Sequence, residues 1–261
     1  MIKTRVIPVL LLKDGLLIRS EGFFDHSVIG DPFFEVARFN EWNVDELIYL
    51  NITGKKNLSI GRSDHKHESM VNDQALLKEV SKTCFMPLIW GGGISSVSEV
   101  RETLRNGADK VSINSAAIDN PSLIREASGK FGSQAVVVSI DSKCNEDGQY
   151  EVYRNGGREK TGMLVQDWAK EMEYLGAGEI LIQSIDNDGK GGGYDIELIK
   201  SVASNVNIPV IACGGVGSFE HYADGIEAGA TAVAAANIWH FKEMADRHAK
   251  RALKAANIEV R

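Results

Sequence analysis

The stretch MPLIWGGGISSVSEVRETLRNGADKVSINSA, residues 86–116, aligns without a gap onto IPVIACGGVGSFEHYADGIEAGATAVAAANI, residues 208–238. Pro87, Ile89, Gly92, Gly93, Ser96, Gly107, Ala108 and Val111 find identical residues at Pro209, Ile211, Gly214, Gly215, Ser218, Gly229, Ala230 and Val233. Each copy reads as apolar strand, glycine turn, amphipathic helix and second apolar strand, and a repeat of this kind fixes the architecture before any single element is read. Outward from it, Leu47–Ile52 pairs with Ile180–Ile185, with Glu46 opposite Glu179, and the first strand pairs with Val137–Lys143, so that Lys13 meets Lys143 and Leu11 meets Asp141. The chain divides into two half-barrels.

Eight short β-branched runs follow in order: Val6–Leu12, Leu47–Ile52, Pro87–Trp90, Val111–Asn114, Ala135–Ile140, Ile180–Ile185, Pro209–Ala212 and Ala232–Ala236. Helical patterns such as Ser96–Asn106, Pro121–Lys130, Leu164–Leu175, Ile196–Ser204 and Phe219–Ala228 lie between them. Eight βα units in 261 residues predict an α/β fold, a single (β/α)8 TIM barrel spanning 1–261, with an open doubly wound sheet as the structural rival. One stretch, 54–72, stands outside the repeat and reads as a long loop insertion facing substrate or partner. Its His65, His67 and Glu68 lack helical i, i+4 spacing and are read as a polar loop, so no metal is assigned.

Hydrophobic residues at 43% and charged residues at 25% place the chain among globular proteins and exclude disordered and fibrous classes. A net charge of -7 disfavours nonspecific nucleic-acid or acidic-membrane binding and points to a small molecule or a protein as partner. No run approaches the roughly 20 apolar residues of a membrane span. Cys84, Cys144 and Cys213 are too scattered for a disulfide framework, and a cytoplasmic location is expected.

In a barrel of this kind ligands sit at the carboxyl ends of the strands, where both glycine clusters fall. Gly92 and Gly93, with Asn114 and Ser115 after the next strand, form one candidate phosphate cradle. Gly214 and Gly215, with Asn237, form its repeat partner, since glycine lets backbone N–H groups approach phosphate oxygens. A phosphorylated small molecule spanning both is the expected ligand; tight turns without ligand are the alternative. Asp141 ends the fifth strand and is the acid/base candidate, but its repeat partner is Leu11, which cannot transfer a proton. Asp188 and Gly189, after the sixth strand, read either as a solvated turn or as a phosphate-loop anchor. At the other strand ends Arg5, Glu46, Lys110 and Glu179 either meet solvent or point inward as a mutually neutralising ring.

These residues resemble the cyclase subunit (HisF) family of imidazole glycerol phosphate synthase over essentially the whole chain. The likeness rests on Ile7-Pro8 with Lys13-Asp14-Gly15, Gly30-Asp31-Pro32, Asp45-Glu46-Leu47, Gly91-Gly92-Gly93-Ile94 and the run from Gly107 to Asn114. It continues through the run from Gly176 to Leu181, Asp188-Gly189 with Gly193-Tyr194-Asp195, and Ile208-Pro209-Val210-Ile211. The resemblance implies a class I glutaminase (HisH-like) partner whose ammonia passes through the barrel, with Arg5, Glu46, Lys110 and Glu179 as the gate, and no cofactor. It also implies two catalytic aspartates, of which Asp141 matches one and Leu11 replaces the other. Asn51, Gln183 and Asn237 stand where the family carries Asp, Thr and a phosphate-binding Ser. That pattern resembles paralogues associated with sugar amidation in surface-polysaccharide synthesis, whose first strand also reads Leu-Leu-Leu. The reading preferred from sequence is therefore an ammonia-channelling barrel serving an ATP-dependent sugar amidotransferase. The alternatives are a true cyclase of histidine biosynthesis and a noncatalytic phosphosugar-binding regulatory barrel.

Overall fold

The computed structural model describes residues 3–42, 44–53 and 73–261. The 54–72 insertion, with His65, His67 and Glu68, lies outside the described residues. Twelve strands occur among the described residues: β1 (Arg5–Lys13), β2 (Leu16–Glu21), β3 (Asp25–Gly30), β4 (Leu47–Asn51), β5 (Leu88–Gly91), β6 (Lys110–Ile113), β7 (Val136–Cys144), β8 (Tyr150–Arg154), β9 (Glu159–Leu164), β10 (Glu179–Ser184), β11 (Val210–Cys213) and β12 (Ala232–Ala235). Eight of them, β1, β4, β5, β6, β7, β10, β11 and β12, pair in parallel, each with the next. The ring closes through β12 beside β1, with Arg5 opposite Ala232 and Pro8 opposite Ala235. A closed sheet of eight parallel strands is a (β/α)8 barrel, and the doubly wound alternative is excluded.

Around the barrel run α1 (Pro32–Trp42), α2 (Asp73–Thr83), α3 (Val97–Arg105), α4 (Ser115–Asp119), α5 (Ser122–Phe131), α6 (Val165–Tyr174), α7 (Ile196–Ala203), α8 (His221–Glu227), α9 (Asn237–Phe241) and α10 (Ala245–Ala255). Local chemistry sets their starts. Ser96 caps α3 by accepting from Glu99 N, and Glu99 reaches back to Ser95 N at 2.6 Å; Asp195 caps α7 by accepting from Leu198 N. At the far end Asp45 accepts from Val6 N at 2.9 Å and from Lys250 Nζ at 2.7 Å, which ties α10 to the base of β1.

The barrel strands read as nearly continuous apolar runs because both faces are buried. Side chains alternate between the faces. Outward residues such as Leu10, Leu12, Tyr49, Trp90 and Val138 pack against the helices, whereas Ile7, Val9, Ile48, Leu50, Val137, Leu181 and Ile211 fill the barrel interior. The same parity turns Arg5, Glu46, Lys110 and Glu179 inward at the base, and Leu11, Asp141 and Gln183 inward at the mouth.

Two antiparallel hairpins were not expected from the sequence. β2 and β3 extend β1, and β8 and β9 extend β7, so each half-barrel carries one. β3 has no fully buried residue and offers no apolar alternation to read.

Candidate functional site

At the base, four charges close a ring. Arg5 Nη1 lies 2.5 Å from Glu46 Oε2 and Arg5 Nη2 3.0 Å from Glu179 Oε2. Lys110 Nζ lies 2.6 Å from Glu46 Oε1 and 2.6 Å from Glu179 Oε1. Each carboxylate thus touches both cations, the arrangement in which largely buried charges are tolerated. Burial alone would lower the pKa of Arg5, but attraction to Glu46 and Glu179 outweighs it and the guanidinium is held protonated. Of the two readings open from sequence, the inward ring is the one observed.

At the mouth lies a cavity of about 730 Å³. It brings together Leu11, Asp141 and every residue singled out for phosphate: Gly92, Gly93, Asn114, Ser115, Asp188, Gly189, Gly214, Gly215 and Asn237. The ring residues do not line it. Glu179 and Gln183 are four residues apart on β10, about 13 Å at strand rise, so ring and cavity sit at opposite ends of the interior.

Gly92 and Gly215 are sterically required. Gly92 has φ +108, and a Cβ there would stand 2.0 Å from Asn51 O; at Gly215, φ +95, it would stand 2.1 Å from Gly193 O. Backbone crosses backbone at both turns, which lays bare main chain along the cavity wall.

Asp141 is buried beside Gln183, whose Nε2 donates to Asp141 Oδ1 and to Ser139 Oγ, both at 3.1 Å. Burial pushes its carboxyl up to about 7, only partly countered by the bonds from Gln183 and Ser139. Such a group is half protonated near neutrality and suits proton transfer. Across the cavity Leu11 presents hydrocarbon. Asn51 is held by its own bonds, donating to Asp73 Oδ1 and accepting from Thr53 N at 2.9 Å.

Asp188 lines the cavity and is bonded there rather than left to solvent. Its Oδ2 accepts from Ser20 Oγ at 2.7 Å and Phe23 N at 3.1 Å, fastening the β2–β3 hairpin over the cavity, and burial raises its pKa. The hairpins add lining residues that sequence reasoning missed, among them His26, Asn155 and Arg158. Lys13 Nζ lies 2.8 Å from His26 Nδ1, and burial together with that ammonium lowers the pKa of His26. The one available signal was the position of these residues after the first and fifth barrel strands, where long loops meet a barrel's ligand.

Comparison with known proteins follows the same outline. The family described as histidine biosynthesis protein matches residues 5–245. An imidazole glycerol phosphate synthase subunit HisF from Alkaliphilus metalliredigens (strain QYMF) is 42% identical over 262 aligned residues, covering 100% of both chains. One from Hydrogenobaculum sp. (strain Y04AAS1) is 44% identical over 262 aligned residues, again covering 100% of both. These names carry histidine biosynthesis and not sugar amidation. A closed barrel, paired glycine turns beside a buried aspartate, a four-charge base and full-length identity of this order lead to one statement: the chain belongs to the HisF family of histidine-biosynthesis barrels.

Proposed function

We propose that this chain is the ammonia-receiving synthase subunit of a glutamine-dependent enzyme of the imidazole glycerol phosphate synthase kind. A class I glutaminase would dock at the base, and ammonia would pass the Arg5, Glu46, Lys110 and Glu179 ring to a phosphorylated acceptor in the mouth. The observation that carries the proposal is the pairing of a closed, charge-balanced ring at one end with an Asp141-containing cavity at the other, joined by an apolar interior. A small neutral molecule crosses such an interior at low electrostatic cost, whereas an ion does not.

For the acceptor, the relatives' names favour formation of imidazole glycerol phosphate, with Asp141 as the acid/base group. Leu11 favours a second reading, in which the barrel passes ammonia on to a separate ATP-dependent sugar amidotransferase. General acid/base groups are commonly worth 10²- to 10⁴-fold, and the cavity has hydrocarbon where a second carboxyl would act. A third role, as a noncatalytic phosphosugar-binding regulator, gains support only if no glutaminase binds.

The test combines the chain with a glutaminase encoded beside it and measures glutamate release, with and without the family's bisphosphorylated aminoimidazole ribonucleotide. Stimulated glutamate release accompanied by steady cyclised product supports the first acceptor. Stimulated release without cyclisation, together with glutamine-dependent amidation when a sugar amidotransferase is added, supports the second. Absence of any complex would remove both.

A further inference from the structure

The repeat that pairs Leu11 with Asp141 also pairs Val9 with Ser139 and Leu50 with Gln183. Strand register keeps the equivalence, since Leu11 stands opposite Leu50 across β1 and β4 as Asp141 stands opposite Gln183 across β7 and β10. All six residues line the mouth cavity. One half-barrel therefore presents three hydrocarbon side chains there. The other presents a polar triangle closed by Gln183 Nε2, which lies 3.1 Å from both Asp141 Oδ1 and Ser139 Oγ.

Ser139 is a hydroxyl that bonds to either end of an amide, so it does not fix how Gln183 is turned. Asp141 does. An ionised carboxylate only accepts, and the amide nitrogen is the one end of Gln183 that it attracts at 3.1 Å. When the carboxyl takes up a proton, that contact survives only if the proton sits on the other oxygen, because a proton on Oδ1 would meet the N–H. We propose that Gln183 is a positioning residue: with Ser139 it holds Asp141 Oδ1 as an acceptor in both protonation states and so confines the exchangeable proton to Oδ2. Asp141 then works as a single acid/base centre with its working oxygen assigned, since Val9, Leu11 and Leu50 neither supply nor divert protons. Asp188, after β10, and Cys213, opposite Gln183 on β11, act on it electrostatically, and Tyr153 stands opposite it on β8. His26, Arg158 and Glu159 line the same cavity. This deepens the reading given above, resting on Asp141 being the acid/base group of that cavity.

Nuclear magnetic resonance titration of the intact chain from about pH 5 to pH 9 tests it, following the Asp141 carboxyl carbon and the Gln183 side-chain amide. In the parent the amide protons should move downfield with the same midpoint as the carboxyl carbon, as the N–H meets a growing negative charge. In Asp141→Asn they should stay still. Gln183→Met keeps length and burial but has no N–H to give, so the carboxyl midpoint should rise by about one to two pH units. A melting curve shows whether that variant is folded, and the parent titration needs no substitution at Gln183. An amide that does not follow Asp141 in the parent, or a midpoint that stays or falls in folded Gln183→Met, overturns the inference; a fall would mean that the amide oxygen takes the proton of Asp141. A still amide in a chain that transfers ammonia from glutamine would sink this inference alone. The expected titration in a chain that takes no ammonia from any glutaminase would sink the functional proposal alone.

Discussion

Asp141 couples the chemistry of the mouth to the stability of the chain. Its carboxyl titrates at about 7 when folded, against an ordinary value near 4 unfolded, because burial disfavours the charged form. The folded chain thus holds this proton more tightly than the unfolded chain does. The resulting stability is present in full below pH 4 and is lost as pH rises through 7. Asp141→Asn, which stays neutral, should match the parent near pH 4 and exceed it by about 2–4 kcal/mol at pH 8. Melting transitions across that range decide the matter, and equal pH profiles for the two proteins would show that Asp141 is not held as a neutral acid. In any proton transfer it performs, the same variant should lose 10²- to 10⁴-fold in turnover. If the parent chain proves not to cyclise, Leu11→Asp alone should restore little, since Asn51, Gln183 and Asn237 also differ from the family pattern as read from sequence and site residues do not add independently. Turnover within tenfold of a working family member in that single variant would contradict this.

At the scale of elements, the β2–β3 hairpin is held by contacts that no local pattern announces. Asp188→Ala removes the acceptor of both Ser20 Oγ and Phe23 N. Amide exchange at Phe23 should then rise by tenfold or more, and chymotrypsin should cut at exposed Phe24, while the global melting transition shifts only by an amount worth about 1–3 kcal/mol. Unchanged exchange at Phe23 would mean that other contacts hold the tip. The barrel strands were legible for the opposite reason. Burial on both faces writes itself into each strand as an apolar run, and parity along Arg5, Ile7, Val9 and Leu11 assigns base, interior and mouth without reference to the rest of the chain. Candidate site residues at strand ends were legible by the same route. His26, Asn155 and Arg158 were not, because they reach the cavity by hairpins whose half-buried strands carry no regular apolar alternation. The bonds of Asp188 to the hairpin escaped as well, since its partners Ser20 and Phe23 lie 168 and 165 residues away in sequence.

For the molecule as a whole, the base ring is the feature on which stability and the proposed ammonia passage meet. Arg5→Ala would leave Glu46 and Glu179 sharing Lys110 alone, at a cost of about 3–5 kcal/mol, since an uncompensated buried charge is worse than a buried pair. Denaturant unfolding should show that loss, and Arg5→Lys, which keeps charge without the planar fork, should show less of it. In the glutaminase assay, folded ring variants should hydrolyse glutamine yet lose its ammonia, while synthesis from added ammonium persists. Equal transfer from glutamine in parent and variants would show that the ring is purely structural. The twin hairpins carry a different consequence. Each is tied to its own side of the mouth at equivalent repeat positions, Ser115 in one half and Asn237 in the other, so a substitution on one side need not disturb its counterpart. A duplicated scaffold with independently braced halves is modular in inheritance: one half can keep an ancestral preference while the other drifts to a new one, and ligand choice can change by halves without refounding the barrel.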